Sequence, residues 1–416
     1  MRITNRMVTE KYMRSLNDIQ TRLDKLNSQV VTGQKFTKVS EDAPAAVKSF
    51  QILKDLSRVT GYQSSITHCK GILSNAESAI SGTGGIEEIL HDVKTQIVYG
   101  LNGTQSQEER QIVAEQLQNM QQQILQSLNS SSAGLYYYGG ANVSMEPFTV
   151  DSDGNLAYRY RDAATDTIQI VKVDDLRATP PAGPAPPAAP LPTNPLDPND
   201  PASVAEWDAY NKYTQYNKDV EMNQLYTELM DAGLFMDLGM GIRTDSSGMI
   251  DRNSVFTYTL PGIMITGVGV ITDANGDVRA SGNLYDLIGE IAAEFSSDTY
   301  THERANELYG YLDGWDSPTD PNDPRYDPSG LQTHHEGVAR FVQYALTTLG
   351  TKTQYLKFLD TRMSARELDD TTRLTDTMFV DPARTIIDFD SQETAYQAAL
   401  LMGTKVLPLS IFDYMR

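Results

Sequence analysis

A single cysteine, Cys69, stands in 416 residues, which excludes an intrachain disulfide. Long apolar runs are also missing. Nothing approaches the ~20 residues that a membrane span needs, so no membrane partner is expected. The basic N-terminal residues Arg2 and Arg6 have no apolar stretch behind them, so a cleaved secretory signal is not expected. Basic excess is lacking as well: the net charge is −21. Nucleic acid is a poor partner for such a chain, because phosphate binding needs a basic face.

Catalytic and metal-binding patterns are equally sparse. There are five histidines, His68, His91, His302, His334 and His335. "HEGVA", 335–339, and "HERAN", 302–306, both lack the second histidine of the H-E-x-x-H zinc helix. "DANGD", 273–277, starts like a calcium loop, but its twelfth position is Leu284 instead of Glu, so a turn is the better reading. "GVGVIT", 267–272, lacks the third glycine of a dinucleotide loop, and no Walker A sequence occurs. Cys69 falls on an apolar helix stripe, as a small core residue would. No catalytic residue, cofactor or metal is therefore expected, and an enzyme housed in the middle of the chain is the less favoured reading.

What is present is helical periodicity at both ends. In "YMRSLNDIQTRLDKLNSQVVTGQKF", 12–36, the apolar positions Tyr12, Leu16, Ile19, Leu23, Leu26 and Val30 follow steps of 4, 3, 4, 3, 4. That is a coiled-coil seam, which one helix cannot bury alone. The last stretch carries a matching one: Phe389, Tyr396, Leu400, Gly403 and Leu407 continue a 3/4 pattern with Glu393 in one slot, and Ile411 follows Pro408. The simplest architecture pairs the two ends of the chain. Leu16, Ile19, Leu23, Leu26, Val30, Tyr396, Leu400, Leu407 and Ile411 are the candidate coiled-coil residues.

Between the ends, Gly33 suits a helix stop. Ser40 and Asp42 are candidate N-caps, with Pro44 in the next first turn. The series Ile66, Cys69, Leu73, Ala76, Ile80 and then Ile86, Leu90, Val93, Ile97 predicts one helix over 43–101, or two with a break near "SGTGG", 81–85. Ser106 and Glu109 have capping-box spacing before the stripe Val113, Leu117, Met120, Ile124. The pattern changes from 135. Residues 148–173 read as strands around an Asp-Gly turn, and 203–231 and 283–313 as helices. Residues 141–330 hold 11 basic against 31 acidic residues, so the middle carries nearly all the excess charge. Ten of the 19 prolines lie in 180–201, an extended linker. A last apolar stripe, Val342 to Met363, ends before Pro382.

The expected fold is mainly α: a terminal antiparallel coiled coil and a long-helix bundle built from both chain ends, with an inserted mixed α/β central domain. The expected segments are 1–42 and 383–416 for the inner coiled coil, 43–140 and 331–382 for the bundle, and 141–330 for an acidic, surface-exposed insert containing the 180–201 linker.

"MRITNRMV", "LDKLNSQVVTGQKFTKVSEDAPAA" and "YQAALLMGTKVLPLSIFDYM" resemble the flagellin superfamily, as does "GLYYYGGANVSMEPFTVDSDGNLAY", 134–158. The family motif has two acids directly before proline. Here Glu41-Asp42-Ala43-Pro44 has one residue inserted. The resemblance implies a structural subunit of a tubular flagellar polymer, either at a junction or as bulk filament. It implies terminal helices lining the tube, an outward middle domain, and export through the flagellar type III apparatus without a cleaved signal. Implied partners are further copies of the chain in a ring-like oligomer, other flagellar subunits on either side, flagellin among them, and an export chaperone.

Overall fold

A computed structural model describes residues 5–102, 105–162, 165–181, 185–189, 191–192, 200–239, 241–244, 248, 250–273, 277–316 and 334–406. In chain order the helices are α1 (Asn5–Thr32), α2 (Ala43–Ser81), α3 (Ile86–Gly100), α4 (Gln107–Leu128), α5 (Pro201–Asp231), α6 (Ile263–Thr266), α7 (Leu284–Ser296), α8 (His302–Asp313), α9 (Arg340–Met378) and α10 (Pro382–Val406). The strands are short: β1 (Ser131–Ser132), β2 (Leu135–Tyr136), β3 (Phe148–Val150), β4 (Leu156–Arg161), β5 (Ile168–Lys172), β6 (Phe235–Met236), β7 (Phe256–Thr257), β8 (Val270–Thr272), β9 (Val278–Ser281), β10 (Gly314–Asp316) and β11 (His334–Glu336). The chain is mainly helical, with its sheet confined to the middle.

The helix ends fall where local chemistry places them. α1 stops at Thr32, before Gly33 at φ +70°. Asp42 caps α2, its Oδ1 accepting from the Ala45 N–H at 3.0 Å. The break at 82–85 separates α2 from α3. The capping box before α4 is complete: Ser106 Oγ accepts from the Glu109 N–H, and Glu109 Oε2 accepts from the Ser106 N–H at 2.7 Å. Those hydrogen bonds hold the Glu109 carboxyl below its ordinary pKa. Asp381 caps α10, its Oδ1 accepting from the Ala383 N–H at 3.0 Å, with Pro382 opening the helix.

The described chain divides into two compact units. One comprises 1–64 and 360–416, the other 65–359. Both boundaries fall inside a helix, α2 and α9. In the first unit α1 packs on α10. The neighbouring parts of α2 and α9 bury Ala46, Ile52, Val59 and Met363, and Gln63 donates to Glu367 across them at 2.8 Å.

The second unit holds the larger core. Every residue of the series Ile66–Ile80 and Ile86–Ile97 named above is buried, as are Val113, Leu117 and Ile124. The described residues of 141–316 are not packed as one block. α7 is buried along Leu284, Leu287, Ile288, Ile291 and Phe295 and lies against α4, while α8 packs on α7. Gln121 of α4 donates to the Tyr285 carbonyl at 2.8 Å. The helices at 283–313 thus share a core with those at 86–128. β3, β4 and β5 form an antiparallel meander in that order. Asn129 fixes its first strand by bonding both the N–H and the carbonyl of Phe148. Tyr138 reaches from the loop before it to the Ala76 carbonyl at 2.6 Å. β8 and β9 pair, and the Asp277 N–H donates to Asp273 Oδ1 at 3.0 Å; the middle of "DANGD", 274–276, lies outside the described residues.

Candidate assembly site

The paired terminal helices concentrate the sequence's candidate residues. α1 presents Tyr12, Leu16, Ile19, Leu23, Leu26 and Gln29, all half-buried. α10 presents Thr385, Phe389, Gln392, Tyr396, Ala399 and Gly403. Near one end of the pair, Tyr12 donates to the Ala399 carbonyl at 2.9 Å. Near the other, Val380 donates to the Gly33 carbonyl at 3.0 Å and Lys35 to the Met378 carbonyl at 2.8 Å. The helices are therefore antiparallel. The turn is tied further by the Lys35 ammonium on the Asp376 carbonyl and by Gln29 on the Lys35 carbonyl.

The register on α10 has a definite cause. Phe389, Tyr396 and Gly403, one heptad apart, face α1. The intervening positions are Gln392 and Ala399, not Glu393 and Leu400. Small residues are needed there because Tyr12 lies across α10, and a Cβ at Gly403 would overlap its phenol oxygen. Leu400 is instead 42% exposed, and Val30 on α1 is 40% exposed. Leu407 and Ile411 lie outside the described residues.

The pair covers only one side of each helix. Val31 is 77% exposed and Ile387 68% exposed, and Leu401, Met402, Met7 and Met13 are also open. Fully covering a Leu or Ile is worth about 1.5–3 kcal/mol, so these residues are a reserve of binding energy that the single chain does not use. Sequence reasoning missed Gln29, Thr385, Gln392 and Ala399 because it sought apolar seam positions. The small pair Ala399 and Gly403, four apart, was the signal available for a close approach.

Catalytic chemistry has little to stand on among the described residues. No group of three or more His, Cys, Asp or Glu could hold a metal ion there. Cys69 is buried, and burial pushes its thiol up to about 11, far from a reactive thiolate. Its sulfur sits 3.7 Å from that of Met236. No described helix is long and apolar enough to cross a membrane.

Residues 3–133 match the bacterial flagellin N-terminal helical region. The chain is 28% identical over 155 residues to flagellar hook-associated protein 3 of Salmonella typhimurium, a match covering 37% of this chain and 48% of that protein. It is 25% identical over 150 residues to flagellar hook-associated protein 3 of Escherichia coli, covering 36% and 46%. The chain thus spans about half the length of the curated relatives it matches. Among solved structures, FlgL of Xanthomonas campestris aligns with 15% identity and a TM-score of 0.36, over 78% of this chain and 99% of that one. The flagellar hook associated protein-3 of Legionella pneumophila aligns with 12% identity and a TM-score of 0.34, over 82% and 98%. Within the matched region lie α1 to α4: one half of the terminal pair, and helices of the larger core.

Proposed function

We propose that the chain is a structural subunit of the bacterial flagellum that acts as the hook–filament junction adaptor on which the filament assembles. Its relatives' names supply the place. The single observation that carries the structural role is the α1–α10 pair, which leaves Val31, Ile387, Leu401 and Met402 exposed. In this reading 1–42 and 383–416 form the inner coiled coil, 43–140 and 331–382 the surrounding bundle, with α7 and α8 sharing the core of that bundle, and the rest of 141–330 the outer acidic domain. Copies of the chain associate as a ring. Another hook-associated protein meets it on the hook side and flagellin on the filament side, and a chaperone accompanies export through the type III route. The chain is not an enzyme.

The same flagellin-family region would suit a bulk filament subunit, and copy number separates the two. Quantifying this chain against flagellin in sheared, purified flagella should give a small, fixed number per hook. A copy number that grows with filament length would replace the junction role by that of flagellin.

A further inference from the structure

Three carboxyl groups from separate parts of the chain meet at the start of α7. Asp174 comes from the 3-10 turn Val173–Asp175 that follows β5, and Asp286 and Glu290 stand one turn apart on α7. Two residues of the β9–α7 junction join them. Ser281 donates through its hydroxyl to Asp174 at 2.7 Å and through its N–H to Glu290 at 3.0 Å. The Asn283 amide donates to Asp174 at 2.5 Å and to Asp286 at 2.6 Å. Leu156 of β4 donates its N–H to the other oxygen of Asp286 at 2.8 Å. Ser281, Asn283 and Asp286 are buried. The network therefore ties the turn after β5, the start of β4 and the head of α7 to one another.

Every partner in this network is a neutral donor. Among the described residues no ion pair reaches any of the three carboxyls. The charged groups around them are committed elsewhere. Arg177 pairs with Asp219 and Lys218 with Asp175 on the turn side. Lys172 pairs with Asp151 and Asp153 on the strand side. Arg304 of α8 pairs with Glu307, which also takes Arg279 and the Tyr311 hydroxyl. One oxygen of Glu290 has no hydrogen-bond partner. Three like charges held this close repel each other in a poorly solvated site, where burial outweighs the attraction of Arg304 on Glu290 and of Lys172 on Asp286.

We propose that this cluster is a proton-operated clasp: holding at least one proton it ties the turn after β5 to α7 and β4, and with all three carboxyls ionised it loosens that junction. Burial is the main cause of the shifts that support it. Asp174 is raised to about 6 and Glu290 to about 7, and Asp286 is raised as well. A carboxyl raised on folding stabilises the fold at low pH, and that contribution is lost as pH rises through the folded value. Two other groups bound the useful window. Glu307 is buried, yet its bonds from Arg304 and Tyr311 hold it low, so its contribution is lost on acidification. Lys352 is lowered by burial to about 8, so its titration is centred above the window and overlaps only the upper edge of it.

The clasp is independent of what the chain assembles with. It is tested on the full chain by hydrogen exchange at the Leu156 and Ser281 amides, corrected for the intrinsic rate. Their opening constant should rise at least about tenfold from pH 5 to pH 7.5, the effect of a one-unit shift. A smaller rise, or a fall, overturns the proposal. Glu290→Gln keeps the acceptor for Ser281 and places an amide where an oxygen now lacks a partner. It should show less than half of the parent's dependence; half or more overturns the proposal. Should that variant fail to fold, carboxyl titration of the parent decides by NMR. At least one of the three should titrate above pH 5.5, and none doing so overturns the clasp.

Discussion

At Tyr12 a phenol laid across α10 sets the register of the terminal pair. Its hydroxyl bonds to the Ala399 carbonyl, and its ring lies over Gly403. Tyr12→Phe should cost about 0.5–1.5 kcal/mol in urea denaturation of the first unit, the usual worth of one hydrogen bond. Gly403→Val should cost about 1–3 kcal/mol by the same measurement, because the side chain has no room. Leu400→Ala should leave the isolated chain within about 0.5 kcal/mol, since Leu400 already faces solvent, and should weaken polymer formation if Leu400 is buried there. The spacing of Phe389, Tyr396 and Gly403 was legible in the sequence. The choice between Ala399 and Leu400 was not, because both lines satisfy a 3/4 pattern. A residue far away in sequence, Tyr12, decides it by size.

Among the elements, those with local signals were the most readable. The stop at Gly33, the break at 82–85, the Ser106/Glu109 box and the end before Pro382 each rest on neighbours within a few residues. Ser106→Ala should accordingly cost about 1 kcal/mol in denaturation of the second unit. The placement of α7 was less readable. Its apolar run sits inside the acidic middle, so composition suggests an outward insert, whereas Leu287 and Ile291 are fully buried in a core shared with α4. That association includes a hydrogen bond between residues far apart in sequence, Gln121 to the Tyr285 carbonyl, which no local pattern announces. Leu287→Ala should cost about 2–5 kcal/mol, and excising 283–313 should unfold the second unit instead of merely trimming it. A folded, cooperative product of that excision would show that α7 and α8 are dispensable to the core.

For the whole molecule, the two units carry different consequences. Removing 391–416 takes away Gln392, Tyr396, Ala399 and Gly403, so α1 loses the described half of its partner. The product should retain the far-ultraviolet circular dichroism of the second unit yet support no filament, and normal motility with that deletion would separate assembly from the α1–α10 pair. On the proposed function, the exposed apolar residues of the pair are covered in a polymer that forms the layer between hook and filament. Antibody labelling of isolated flagella tests that claim most directly. The expected result is a single labelled band at the hook–filament boundary. Label spread along the filament, or absent from the boundary, would contradict it.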